Sequence, residues 1–174
     1  TMRSLRSQGF GPENRFQHDR LGFNYRITDL QSAIGLAQIE HITKKVQRKR
    51  KIAETYTKLL RGVKEIEIHQ DPPWGKSGFW IYGIILKDSF GRTSSEVKYL
   101  LKKRGIGSDY FFTPMSLQAV FIKRNVRYSN FPSAKGRYPV SCYLGRKGLY
   151  LPTGLGITSK QQEWIVENLL SLRK

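Results

Sequence analysis

From Thr28 to Gly62 apolar side chains return at helical rather than strand intervals, and this long amphipathic stretch constrains the fold most. Thr28 or Asp29 can cap its start, behind which Ile27, Leu30, Ile34 and Ala37 mark one apolar stripe. Ala33, Gly35 and Ala37 keep that stripe thin, which suits close approach to another helix or another subunit. Ile42, Val46, Ile52, Tyr56, Leu59 and Leu60 continue the pattern until Gly62 stops it. A basic helical arm of this kind must pack on something. The rest of the chain offers a short strand at Ile66–His69 and a turn-rich loop at Asp71–Gly75, followed by a strand-like run from Phe79 to Leu86. Next come a helix from Thr93 to Lys103 capped by Thr93 or Ser94 and ended by Gly105, a strand within Ile106–Phe112, and a helix at Val140–Lys147. A brief strand at Leu149–Leu151 precedes a closing helix from Thr158 to Leu172 with Trp164, Ile165, Leu169 and Leu172 facing inward. Residues 1–23, broken by Gly9, Gly11, Pro12, Asn14 and Gly22, read as loop. Strands interspersed with helices predict an α/β or α+β domain packed on the arm.

Charge narrows the function classes. The chain carries 31 Lys and Arg against 13 Asp and Glu, a net +18, which asks first for a nucleic-acid partner. The excess is spread evenly, net +8 over residues 1–62 and +10 over 63–174, so no dedicated stripe stands out. The densest run, Lys44-Lys45-Val46-Gln47-Arg48-Lys49-Arg50-Lys51, lies within the helical pattern and reads as a solvated face, which ranks nucleic-acid binding second. An apolar fraction of 39% suffices for one ordinary core, and no apolar run approaches the ~20 residues of a membrane span. The N-terminus lacks a secretory pattern. With Cys142 alone no internal disulfide forms, and three scattered histidines give no zinc-ligand spacing, so no metal is expected and a cytoplasmic setting is. A start at Thr1, directly into Thr1-Met2-Arg3-Ser4, leads us to expect the tail of a longer protein.

No Walker loop, GxSxG elbow, HExxH or informative Cys/His pair is present. The stretch Leu21-Gly22-Phe23-Asn24-Tyr25-Arg26-Ile27-Thr28-Asp29-Leu30-Gln31-Ser32-Ala33-Ile34-Gly35-Leu36-Ala37-Gln38 closely resembles the signature of the DegT/DnrJ/EryC1/StrS family of PLP-dependent sugar aminotransferases. Arg3-Ser4-Leu5-Arg6-Ser7-Gln8-Gly9 resembles the family segment that leaves the large domain, and Phe79-Trp80-Ile81-Tyr82 its small-domain strand. Arg146 to Thr158 resembles the closing segment. The resemblance implies the C-terminal portion of a type I PLP-dependent aminotransferase fold, an α/β architecture with long linking helices and a small α/β domain. On that frame residues 1–27 end the large domain and carry the cofactor and dimer loop. Residues 28–62 are the interdomain arm, and 63–174 the small domain.

The same resemblance implies a homodimer with shared active sites, in which the NYR-type loop of one subunit reaches the pyridoxal 5'-phosphate of the other. Asn24 and Arg26 are then the candidates for its phosphate, as amide donor and guanidinium fork. Tyr25 joins them as a cofactor-loop residue whose ring is expected to be a buried structural aromatic. His18 falls near where relatives carry an active-site histidine, and Ser116, in Thr113-Pro114-Met115-Ser116-Leu117-Gln118, stands where many have histidine; both are substrate-binding candidates. Asp109 stands where relatives often carry Arg or another polar residue. The expected reaction is amino transfer from an amino acid, with glutamate as the expected donor, to a nucleotide-diphosphate keto sugar, feeding polysaccharide or glycosylated metabolites. The lysine that holds the coenzyme and the acid that faces its ring nitrogen lie upstream in the family, so no catalytic residue is assigned here. The isolated chain is expected to be inactive. Histidine in place of that lysine would make a sugar dehydratase. Two rival expectations of a different class are a basic nucleic-acid-binding module and a noncatalytic partner subunit.

Overall fold

The computed structural model describes residues 1–11, 17–118 and 138–174; the chain divides into two compact units, Thr1–Lys44 and Lys45–Lys174. Pro12 and Asn14, expected as loop breakers, lie outside the described residues.

The first unit opens with a short helix, α1 (Met2–Arg6), where loop was expected. No breaker stands between Met2 and Arg6, and the turn that starts at Ser7 and passes through Gly9 ends it. Helix α2 (Asp29–Glu40) begins at Thr28, whose Oγ1 accepts from Gln31 N while Gln31 Oε1 accepts from Thr28 N. That reciprocal pair satisfies two donors the helix start would leave orphaned. The arm is two helices rather than one: His41 N–H donates to Gln38 O, a tight closing turn, before α3 (Ile42–Leu60) starts. No side chain of α2 is buried.

The second unit owns a core. Strands β1 (Ile66–Ile68), β2 (Tyr82–Leu86), β3 (Asp109–Tyr110) and β4 (Gly148–Leu151) form one antiparallel sheet in the order β1-β2-β4-β3. The registers Ile66↔Leu86, Ile84↔Leu149 and Tyr82↔Leu151 align apolar side chains on one face. Helices α3, α4 (Ser94–Lys103) and α6 (Ser159–Leu170) supply Ile52, Tyr56, Leu60, Val97, Leu101, Ile165, Val166 and Leu169 to the same buried cluster. Thr93 and Thr158 each cap their helix with the same reciprocal bond pair seen at Thr28. On α6 the inward positions are Gln162, Ile165, Val166 and Leu169, spaced i, i+3, i+4, i+7; Trp164 sits between them and stays 46% exposed, contrary to expectation. Gln162 is buried because its Nε2 donates to Ile52 O at 2.8 Å.

The opposite face of the sheet carries Gly83, Ile85, Gly148 and Tyr150, with α5 (Pro139–Lys147) packed against β2 and β4. Phe111 lies flat on it, stacked on Tyr150 at 4.8 Å. A Cβ at Gly148 would stand 2.2 Å from the Phe111 ring and one at Gly83 2.7 Å, so both glycines are what lets that ring settle. Two expected strands are shorter than the sequence pattern implies. Phe79–Ile81 lie outside β2 because Phe79 takes a left-handed φ of 46°, and within Ile106–Phe112 only Asp109–Tyr110 forms a strand, with one further bond from Phe111 N to Gly148 O at 3.4 Å.

Candidate functional site

In the first unit the segment before α2 is held by backbone bonds to the end of α1. Phe23 N donates to Leu5 O at 2.8 Å, Gln8 N to Phe23 O at 2.9 Å, and Tyr25 N to Arg6 O at 2.8 Å. This approach needs glycine at Gly9 and Gly22, since a Cβ on Gly22 would lie 2.1 Å from Gly9 N. Extended backbone sends alternate side chains to opposite sides. Asn24 and Arg26 accordingly share one side, where Arg26 Nε donates to Asn24 Oδ1 at 3.0 Å. Phe23 and Tyr25 share the other, with rings stacked at 5.2 Å. Tyr25 is 68% exposed, which corrects the expectation of a buried ring: the described residues provide only Phe23 as its stacking partner.

The Asn24–Arg26 bond has a chemical consequence. It engages one lone pair of Asn24 Oδ1 and leaves the Asn24 amide N–H groups and the Arg26 Nη donors outside the bond. The result is a donor-rich, cationic, exposed cluster on an anchored segment, suited to a phosphate dianion. His18 belongs to the same unit: its Nδ1 bonds Gln8 O at 2.7 Å, which requires the proton on Nδ1, and its ring rests on Phe10 at 4.8 Å. That leaves Nε2 as the nitrogen open to a ligand.

In the second unit Ser116 sits half-buried in a 3-10 turn, Met115–Leu117, that follows Pro114. The turn is braced by Gln118 Nε2 donating to Thr113 O at 3.2 Å, and Pro114 packs on Gly145 of α5. Asp109 is a structural anchor: its carboxylate pairs with Lys98 Nζ at 2.6 Å and accepts from Tyr110 N at 2.8 Å. Those bonds hold its carboxyl below the ordinary carboxylate range.

The basic run on α3 differs from the solvated face expected. Arg48 Nε donates to Leu155 O at 3.1 Å, and its Nη2 reaches Ile157 O. Lys49 Nζ donates to Thr153 O at 2.7 Å and Trp80 O at 3.0 Å, and Arg50 Nε to Ser77 O at 3.1 Å. Irregular loops flanking a helix leave carbonyls without ladder partners, and long cationic side chains supply the donors. Lys44, which is exposed, and Lys51, in an exposed pair with Glu54, follow the expectation. Helical periodicity could not reveal this, because the partners lie in distant segments.

Sequence reasoning also missed an aromatic pair. Trp80, 72% exposed, lies near-parallel to Phe112, 69% exposed, with ring centroids 6.4 Å apart and planes inclined by 19°. Among the described residues no group of three or more His, Cys, Asp or Glu could hold a metal ion, and no helix is long and apolar enough to cross a membrane.

Comparison with known proteins settles the lineage. The model of the DegT/DnrJ/EryC1/StrS aminotransferase family matches residues 1–170. The chain belongs to this family. Its relatives include the GDP-perosamine synthase of Caulobacter vibrioides, 30% identical over 169 residues covering 97% of this chain and 43% of that protein. The GDP-perosamine synthase of Vibrio cholerae is 29% identical over 157 residues, covering 90% of this chain and 40% of that protein. A DegT DnrJ EryC1 StrS aminotransferase from Brucella abortus shares the fold, with a TM-score of 0.81 at 24% identity over 99% of this chain and 43% of its own. This DegT/DnrJ/EryC1/StrS chain thus spans less than half the length of the relatives it matches. Its architecture is the C-terminal portion of the aminotransferase fold.

Proposed function

We propose that the chain forms the C-terminal part of a pyridoxal-phosphate-dependent aminotransferase that moves an amino group from an amino acid, glutamate in our reading, to a nucleotide-linked keto sugar. The observation that carries this is the Asn24–Arg26 pair, a prearranged donor cluster in a chain matched to the family from residue 1 to 170. Bound pyridoxal phosphate supplies the electron sink on which amino transfer depends. Arg26 contributes charge and Nη donors to its phosphate, and Asn24 contributes amide N–H groups while fixing the guanidinium through Oδ1. Tyr25 flanks them as an exposed ring that can wall the coenzyme. Ser116 offers a hydroxyl, and His18 Nε2 a nitrogen, to the substrate. The assembly is a homodimer in which this loop serves the neighbouring subunit, a reading supported by the exposed apolar face of α2.

Fusing this chain behind the N-terminal portion of the Caulobacter relative tests the proposal. The chimera should retain pyridoxal phosphate and form GDP-perosamine with glutamate as donor. An Arg26→Leu variant should raise the coenzyme's dissociation constant roughly 10-fold or more, by loss of a charge-assisted bond worth about 1.5–3 kcal/mol. Undiminished retention in the Asn24→Ala, Arg26→Leu double variant would refute the assignment.

A further inference from the structure

Trp80 and Phe112 stand out among the exposed side chains of the second unit, because isolated apolar residues are ordinary on a surface and two large, near-parallel aromatic rings side by side are not. We propose that they form a stacking platform for the base of a nucleotide-linked substrate, an inference that rests on the reading above and assigns a subsite to it.

Three observations hold the pair in place. Phe79 occupies the left-handed region at φ 46°, a conformation a non-glycine residue adopts only when its surroundings enforce it. The bend turns the Phe79 ring against Tyr82 and His69 and leaves the next residue, Trp80, facing outward. The Trp80 carbonyl is fixed by Lys49 Nζ at 3.0 Å and by Thr153 Oγ1 at 3.4 Å, so α3 and the segment after β4 both anchor the indole's backbone. On the other side Phe111 is locked between the two sheet glycines and Tyr150, which sends Phe112 outward to meet the indole, with Tyr150 edge-on to it at 5.9 Å. Ser116 follows four residues later in the braced turn, which ties the platform to the segment already read as facing substrate.

The ring geometry favours a base over a sugar. Near-parallel π-faces suit a flat heterocycle, whose stacking tolerates any base. A pyranose is puckered and is gripped by hydrogen bonds to its hydroxyls, whereas the ring partners of Trp80 and Phe112 among the described residues are aromatic.

The chain has three tryptophans, so Trp74→Phe with Trp164→Phe leaves Trp80 as its sole indole. Titrating that variant with guanosine diphosphate should quench its fluorescence saturably. Phe112→Ala should weaken the response about tenfold, as should Phe112→Leu, which keeps an apolar side chain without the ring face. Ribose 5-phosphate should give no saturable change. An equal response to ribose 5-phosphate would assign the binding to the basic surface, and a saturable response to mannose would assign the platform to a sugar; either overturns the inference. So would a missing response to guanosine diphosphate, or one that survives both Phe112 variants. Amino transfer by the chimera without stacking here would overturn this inference alone, whereas stacking without amino transfer would overturn the proposed activity alone.

Discussion

Ile34 on α2 and Ile165 on α6 are the same residue at the same kind of helical spacing, yet the first is 58% exposed and the second buried. The contrast extends to their whole units. In Lys45–Lys174 three helices close on one sheet face and share a single core, whereas among the described residues of Thr1–Lys44 only Gly9 is buried. Periodicity therefore shows that a helix has a face to bury and leaves open whether this chain covers it. A helix that is apolar on many sides, as α2 is with Leu30, Ile34, Leu36 and Ile39 exposed, is suited to burial against further polypeptide.

The sharpest way to break that contrast is a pair of truncations. Leu149→Ala, in the sheet core, should cost about 3 kcal/mol in urea unfolding, while Ile34→Ala on α2 should cost under about 0.5 kcal/mol in the same chain. Equal losses would mean that the first unit has a core of its own. A smaller effect separates neighbours on α3: Lys49→Met, which removes bonds to Trp80 O and Thr153 O, should cost about 1–2 kcal/mol. Lys51→Met, two residues on, should stay within about 0.5 kcal/mol, because its pair with Glu54 is exposed.

Tyr56→Phe should cost about 1 kcal/mol by orphaning the Pro152 carbonyl, which accepts from the Tyr56 hydroxyl at 2.8 Å. It also carries a pH signature. Burial raises the Tyr56 phenol, with Tyr82 beside it adding to the rise, and burial raises Tyr82 as well. Unfolded tyrosines lose their protons near pH 10, so above about that pH the unfolded chain holds fewer protons than the folded one. The stability is complete below that value and falls as pH rises towards the raised native pKa. Urea midpoints measured across this range should fall less steeply in Tyr56→Phe than in the parent. An identical slope would show that Tyr56 ionises as freely in the folded chain as in the unfolded one.

What could be read from the sequence follows from the range of each interaction. Thr28, Thr93 and Thr158 all cap helices, and Gly62 and Gly105 end them in left-handed turns, because capping and termination act within a few residues. Asn24 and Arg26 were singled out through the family resemblance alone, and the bond between them, across one intervening residue, was not read from the sequence. The carbonyl bonds of Arg48, Lys49 and Arg50 were not legible, since they join a helix to segments far along the chain, and a charge run carries no mark of its partners. Trp80 and Phe112 likewise come together from separate segments. The left-handed turn at Phe79 gave no warning, because only glycine or asparagine advertises such a conformation. Trp164 misled through size: a large aromatic beside an inward position draws attention from the smaller Val166 and the polar Gln162 that fill the core.

Amide hydrogen exchange, read residue by residue on the chain alone and on the Caulobacter chimera, tests the contrast between the units most directly. A 12-residue helix with no buried side chain is marginal in water, so α2 amides should exchange almost unprotected in the chain alone and become protected in the chimera. Strands β2 and β4 and helix α6 should be protected in both. Protection of α2 in the chain alone that matches β4 would contradict the account.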